Sequence, residues 1–217
     1  MKNLLNKELK LATSPLAWIF LLFSVMTFLP GYPILMGPFF LCLGLFQSFQ
    51  MAREANDTLY TVLLPVRKAD AVRAKYTVVC FFELIFLVLI AVFTVIRMTI
   101  LSEAVPYVKN ALMNATPFFL AMALIVFLLF NIIFLGGFFK TAYKIGRPYI
   151  TFLIVSLIVI LAAEALIHVP FLTFLRTPAG EKLPIQFAIL AAAAVMFALF
   201  TRLSQNRSIE RFERIDL

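Results

Sequence analysis

An all-α, polytopic membrane protein is predicted by three features of the 217-residue sequence. Hydrophobic residues make up 63% of the chain and charged residues 14%, whereas soluble domains contain about 45–50% and about 25%. The apolar residues are gathered into six runs, and the last four reach the roughly 20 residues that a helix needs to cross a bilayer. Because an open-ended chain can satisfy its backbone in hydrocarbon only as a helix, each run is expected to be helical.

The sequence predicts a single transmembrane domain over residues 1–217. An amphipathic interfacial helix is expected at 1–14, and Ser14 followed by Pro15 has the pattern of an N-cap and a first helical residue. A hairpin of two spans (16–51), a charged cytoplasmic segment (52–76), spans three to six (77–203) and a cytoplasmic tail (204–217) follow. The six spans are predicted at 16–29, 34–51, 77–96, 117–139, 149–168 and 185–203.

The basic residues predict the orientation in the membrane. Of the 19 Lys and Arg residues, 15 fall in one alternating set of polar segments, and the other set holds only four: Arg97, Lys109, Arg176 and Lys182. The positive-inside rule therefore places both termini and residues 52–76 in the cytoplasm of a multi-pass protein of a bacterial inner or plasma membrane. Because the basic residues lie in short connectors and form no continuous basic face, no nucleic-acid partner is predicted.

The sequence lacks the motifs of a catalytic or cofactor-binding chain. It contains no P-loop, HExxH, GxSxG or CxxC, so no catalytic residue, metal site or cofactor is predicted on this chain. A carboxylate in hydrocarbon is costly and should face protein or water. We expect Glu83 to pair with a basic residue or to line a transport path. Glu164 and His168, four residues apart, are expected to pair with each other, to reach towards water, to line a subunit interface or to relay protons. Asn131 is a further polar candidate within the spans.

The charged segment 52–76 is predicted to form two short helices that are separated at Pro65. The first has an apolar side at helical spacing, and the second is expected to lie along the lipid headgroups with Lys75 on its basic face. The apolar side consists of Leu59, Val62, Leu63 and Val66. Two interpretations stay open: an amphipathic loop that rests on lipid, or a docking element for a soluble protein. The docking side chains would be Arg53, Glu54, Asp57 and Tyr60.

This segment, REANDTLYTVLLPVRKADAVRAKY, follows a two-helix hairpin and precedes four further spans. In that position it resembles the membrane subunits of ABC-2 type transporters, especially short bacterial permeases. The likeness rests on Leu64, Pro65, Val66, Arg67, Val72, Ala74, Lys75 and Tyr76. It implies a permease that dimerises with an identical or different permease chain and rests on a separate cytoplasmic ABC ATPase, which binds the ATP and Mg.

The resemblance also implies roles within the segment. The region after span two would include the coupling helix, and the ATPase would contact Arg53, Glu54, Asp57, Thr58 and Tyr60. The lack of a large extracellular domain favours export of an amphipathic peptide, an antibiotic or a lipid. Two alternatives come from other classes of protein: an intramembrane enzyme, or a proton-coupled secondary transporter, that uses Glu83 or Glu164 with His168.

Overall fold

The computed structural model describes residues 2–141, 143–178 and 180–215, with the backbone alone at Lys2 and Val62. Every regular element within these ranges is helical. Single π-helical turns follow α1 and α7, a 3₁₀ helix of eight residues (Leu21–Phe28) follows α2, and a 3₁₀ turn (Thr173–Arg176) precedes α10. The α-helices are α1 (Lys2–Lys7), α2 (Pro15–Phe20), α3 (Met36–Glu54), α4 (Asp57–Leu63), α5 (Lys68–Thr99), α6 (Val105–Val108), α7 (Pro117–Leu129), α8 (Gly136–Phe138), α9 (Gly146–Leu166) and α10 (Leu183–Glu213).

Four helices in the described ranges are long and apolar enough to cross a membrane: α5, α7 with its continuation to Phe138, α9 and α10. A fifth is added if the bent pair Asn3–Ala12 and Pro15–Phe28, which meet at 86°, counts as one span. The sequence predicts six, and the difference lies in the first hairpin. Residues Pro15–Phe28 rise roughly 25 Å as a mixed α and 3₁₀ helix, less than the roughly 30 Å of the hydrocarbon core. Helix α3 is continuous, but its apolar sequence is broken by polar Gln47, Ser48 and Gln50.

The first hairpin is held by one predicted cap and one close contact. The Ser14 hydroxyl accepts a hydrogen bond from the Leu16 N–H at 3.2 Å, which confirms Ser14 as the N-cap of α2. The Ser14 N–H in turn donates to Ser48 Oγ of α3 at 2.9 Å. A Cβ at Gly44 would lie 2.6 Å from the Phe20 ring, so α2 can approach α3 this closely only because residue 44 has no side chain.

Helix α7 lies at the centre of the bundle and α10 at its surface. In its most apolar stretch, 72% of α7 is buried, compared with 11% of α10. Phenylalanines from several helices fill the interior around α7, and the rings of Phe130 and Phe134 stack at 4.8 Å. Helix α10 therefore presents most of its apolar surface outwards, as a helix in contact with lipid or with another protein would.

Helix α5 is one continuous helix of 32 residues, whereas the sequence predicts a short headgroup helix followed by a span from residue 77. No Pro or Gly interrupts residues 68–77. Ala71, Val72 and Tyr76 are buried on one side with Val79, so the packing continues across the predicted boundary. Both described ends of the chain reach the α4 end of the bundle, because Lys7 pairs with Asp57 and Lys68 Nζ donates to the Ile215 carbonyl at 2.6 Å.

Candidate functional site

The corner between α3 and α4 carries the five residues that were predicted to meet a partner. Helix α3 ends at Glu54, and Asn56 adopts a left-handed conformation (φ 50°) that turns the chain into α4. Arg53, Glu54 and Tyr60 are exposed, whereas Thr58 and Asp57 are half-buried. Arg53 lies over the Tyr143 ring, 5.8 Å from its centroid, and Thr58 lines a small cavity of about 80 Å³ beside it.

The outer face of α4 is apolar as well as exposed. Leu63 is 74% exposed and Tyr60 is 65% exposed, and Leu59, Leu64 and Val66 also face outwards. The sequence predicts an apolar side for this helix, and of its four members the structure describes the side chains of Leu59, Leu63 and Val66. These side chains point away from the bundle, so the apolar side does not serve to pack α4 onto its own chain.

Asp57 faces inwards instead, into a group of four charged residues that we name the basal ion cluster: Lys7, Glu8, Asp57 and Lys75. Lys75 Nζ lies 2.8 Å from Glu8 Oε2 and 3.1 Å from Asp57 Oδ2. Lys7 pairs with Asp57 and, at 3.1 Å, with Glu8 Oε1. Lys7 also donates to the Thr61 hydroxyl at 2.6 Å. Two cations and two anions thus form four ion pairs that link α1 and its π turn, α4 and α5.

The basal ion cluster has no net charge, and Glu8 and Lys75 are its buried members, whereas Lys7 and Asp57 are half-buried. The Lys75 and Glu8 side chains are only 8% and 4% exposed, and at such burial the loss of one partner leaves a charge without compensation. Burial acts to raise the pKa of the Asp57 carboxyl, but Lys75 and Lys7 outweigh it and hold that pKa below its ordinary value of 3.8. Asp57 is therefore ionised at neutral pH.

Sequence reasoning did not find the basal ion cluster. It placed Lys75 on a face against headgroups, and that assignment is wrong because Lys75 pairs with Glu8 and Asp57. One signal was present in the sequence. Lys75 is three residues after Val72 and four before Val79, within the buried stripe of α5, and a lysine on a buried stripe needs a carboxylate partner.

A second polar group, the interior cluster, lies between α5, α7 and α10 and consists of Tyr76, Glu83, Asn131, Ser204 and Ser208. Asn131 Nδ2 donates to Glu83 Oε2 at 2.9 Å. The Tyr76 hydroxyl lies 2.9 Å from both serine hydroxyls, and Ser204 Oγ donates to the Asn131 carbonyl at 2.9 Å. That carbonyl belongs to the π turn Phe130–Leu135, a departure from α-helix that alters the backbone pairing around it.

The structure brings together two of the four polar residues that were predicted within spans. Glu83 and Asn131 are fully buried and bonded to each other. None of the described basic residues pairs with Glu83, so the expected ion pair is replaced by an amide hydrogen bond. The interior cluster therefore joins helices within one chain.

Glu164 and His168 lie elsewhere, near the far end of α9. Glu164 Oε2 accepts a hydrogen bond from the Met113 N–H at 3.0 Å, which ties α9 to the segment before α7. His168 is exposed. In the described ranges, no three His, Cys, Asp or Glu side chains are grouped so that they could hold a metal ion.

Residues 3–213 match the family described as "ABC-2 family transporter protein". No match was found among curated proteins or among solved structures. The match includes every helix from α2 to α10, the α3–α4 corner and all four residues of the basal ion cluster. The chain belongs to the ABC-2 type transporter permeases, multi-pass membrane subunits that transport rather than catalyse and that associate with an ABC ATPase.

Proposed function

We propose that this chain is the permease subunit of an ABC exporter, and that a separate ATPase docks on the α3–α4 corner and drives it. One observation carries the proposal: α4 exposes an apolar face and is joined through the basal ion cluster to α1 and α5. Exposed apolar side chains next to charged ones are typical of a protein interface. A partner that moves α4 would move α1 and α5 with it, so α4 acts as the coupling helix.

The contacts at the two ends of the bundle support six crossings. Residues Pro15–Phe28 begin beside Ser48, near the cytoplasmic end of α3, and Thr27 near their other end meets Arg97 at the end of α5. A helix that reaches from one end of the bundle to the other crosses the membrane even if it is short, because a bilayer thins around a short span. With the positive-inside bias, α4 and both termini lie in the cytoplasm, and the amphipathic α1 lies at the membrane surface.

The permease is further proposed to work as a dimer, with the outward apolar surface of α10 or α9 available to a second copy or to lipid. Export is favoured because the segments at the end away from α4 are short: 100–116 contains only the four-residue α6, and the described part of 167–182 contains only one 3₁₀ turn. Little surface exists there to capture a cargo from outside. The cargo class would be an amphipathic peptide, an antibiotic or a lipid.

The docking assignment is tested with the ABC ATPase co-expressed from the same genome. Glu54→Arg reverses a charge on the exposed corner, and Tyr60→Ala removes the largest exposed side chain of α4. We expect each variant to lower co-purification of the ATPase at least about tenfold. For Tyr60→Ala the reason is that truncation of a central aromatic contact commonly costs about 2 kcal/mol or more. For Glu54→Arg the reason is the reversed charge at the docking surface. Glu210→Arg is the matched control, since Glu210 is exposed near the same end on α10.

Association that is undiminished in both corner variants would contradict docking at α4. The direction of transport is tested separately with inside-out vesicles that contain the complete complex and a fluorescent phospholipid or peptide. ATP-dependent accumulation inside the vesicles is expected for an exporter. ATP-dependent loss from loaded vesicles would contradict export and leave the docking result intact.

A further inference from the structure

A cavity of about 210 Å³ lies at the end of the bundle opposite α4, and we name it the distal cavity. It is open on one side and bordered by the end of α5, the segment around α6 and the end of the 3₁₀ turn Thr173–Arg176 with the residues that follow it. Two arginines line it, Arg97 and Arg176, with polar Ser102, Asn114 and Thr177. This collection does not belong to the α3–α4 corner and has no part in docking the ATPase.

Arg97 is buried and held in place without an acidic partner. It is 5% exposed, its Nη1 donates to the Thr27 carbonyl at 2.7 Å, and its Nη2 donates to Asn114 Oδ1 at 3.2 Å. The guanidinium carbon also lies 4.1 Å from the centroid of the Tyr107 ring. Two of the five donors of the guanidinium are used by neutral acceptors, and a buried cation of this kind is stabilised further when an anion reaches it.

Arg176 lies on a backbone segment that three side chains fix. Asn114 Nδ2 donates to the Arg176 carbonyl at 3.3 Å, and the Thr116 hydroxyl donates to the Leu175 carbonyl at 3.0 Å. Gln186 Nε2 donates to the carbonyls of Phe174 and Thr177. Because the backbone is held on both sides of Arg176, little ordering remains to be done when a ligand binds there.

The charges of the distal cavity are of one sign. No described acidic side chain forms an ion pair with Arg97 or Arg176, although Glu103 and Glu181 lie nearby in the sequence. Asn114 contacts both arginines, through its side-chain oxygen to Arg97 and its side-chain nitrogen to the Arg176 backbone. The cavity is smaller than the roughly 300–1,000 Å³ of sites for drug-sized ligands, so its volume suits a small charged group.

We propose that the distal cavity binds an oxyanion, a phosphate or carboxylate group, between Arg97 and Arg176. Planar guanidinium groups bind such oxygens with paired, charge-assisted hydrogen bonds. Asn114, Ser102 and Thr177 provide further polar groups around the same space. The oxyanion belongs either to the headgroup of a phospholipid in the adjacent leaflet or to a soluble molecule. The proposal does not rest on the docking of the ATPase.

The test uses the full-length chain purified in a neutral detergent. Thermal unfolding is followed while inorganic phosphate is titrated against chloride at constant ionic strength. In a second arm, the chain is reconstituted in nanodiscs of phosphatidylcholine with or without phosphatidylglycerol. Stabilisation by phosphate in detergent identifies a soluble oxyanion, and stabilisation by phosphatidylglycerol alone identifies a lipid headgroup.

Arg176→Gln is the decisive variant, because Arg176 is partly exposed on a loop and its removal leaves the core intact. We expect this variant to need at least about ten times more phosphate or phosphatidylglycerol for the same rise in unfolding temperature. This is the usual consequence of losing a charge-assisted contact of about 1.5–3 kcal/mol. Lys182→Gln is the matched control: it removes a cation from the same end of the bundle, where Lys182 lies over Phe171 and Phe174. Equal stabilisation of wild type and Arg176→Gln, or no stabilisation by either source, would overturn the proposal.

Discussion

The basal ion cluster and the interior cluster are both buried, and both join segments that are far apart in the sequence, but they do so with different chemistry. The first uses four ion pairs to connect α1, α4 and α5. The second uses hydrogen bonds of hydroxyl and side-chain amide groups, which join α5 and α10 to α7 and its π turn. Ion pairs hold α4 to α1 and α5, whereas hydrogen bonds lie where the long apolar helices pack on one another. Under the proposed docking of an ATPase at α4, the charge-based linkage would lie at the end of the bundle that the partner moves.

The largest expected effect comes from Lys75→Met. This change keeps the length of the side chain but leaves Glu8 and Asp57 with only Lys7 for compensation, and breaking a buried ion pair in this way costs about 3–5 kcal/mol. Thermal unfolding in detergent measures the loss of stability. Arg73→Met is the control, because Arg73 pairs with Asp70 on the exposed side of the same helix, and it should not shift the unfolding temperature measurably. Equal shifts in the two variants would remove the contrast between buried and exposed ion pairs.

An intermediate effect is expected at Glu83 of the interior cluster. Glu83→Leu removes the main acceptor of Asn131 Nδ2, and an unsatisfied buried donor costs about 1–3 kcal/mol. Glu83→Gln keeps an acceptor oxygen of the same reach and should unfold close to wild type. If Glu83→Gln were as unstable as Glu83→Leu, the cluster would depend on charge as the basal ion cluster does, and the comparison would fail.

A smaller effect is expected from Tyr76→Phe. It removes one hydroxyl that lies 2.9 Å from each of Ser204 and Ser208 while the ring stays packed against Phe139. The net contribution of such a hydrogen bond to the free energy of unfolding is about 0.5–1.5 kcal/mol. Added salt at 0.5 M should leave the difference between Tyr76→Phe and wild type unchanged, because no ion pair is involved. A difference that fell with salt would show that the hydroxyl acts through the charged end of α5.

The smallest expected effect is a change with pH in the stability that Asp57 contributes. The pKa of Asp57 is below 3.8 in the folded chain, so its contribution is fully present above pH 3.8 and is lost as the pH falls through the folded value. The difference in unfolding temperature between wild type and Asp57→Asn, measured from pH 7 down to pH 3, should therefore begin to shrink as the pH falls below 3.8. A gap that stayed constant over that range would contradict the ion pairing of Asp57.

The sequence was most informative where the signal is local. Ser14 and Pro15 predict the start of α2, Pro65 predicts the break before α5, and long apolar runs predict α7, α9 and the start of α10; at these points the structure agrees within a few residues. Helix α10 itself continues to Glu213, well beyond residue 203, where the predicted span ends. Those features depend on side chains next to the backbone that they shape. The first hairpin was less predictable because its helix changes to 3₁₀ geometry after Phe20, with no breaking residue at that point.

The members of the two polar clusters could not be paired with each other from the sequence, because the pairing depends on the fold. Glu8 and Lys75 are 67 residues apart, and the pattern of neither segment shows which charges face each other. Glu83 and Asn131 were identified singly as polar residues within spans, but their bond depends on how α5 packs on α7 and on the π turn at Phe130–Leu135. For the same reason the outward direction of Tyr60 and the inward direction of Asp57, three residues apart on one short helix, became visible only with the structure.

The continuity of α5 has a mechanical consequence. A single helix carries Lys75 of the basal ion cluster at one end and Arg97 of the distal cavity at the other, 22 residues further along the chain and about 33 Å away along the axis. Because no break lies between them, one continuous helix joins the two ends. If it tilts about a pivot in the packed middle near Phe86, the two ends swing in opposite directions, so a pull on α4 would widen or narrow the space around Arg97.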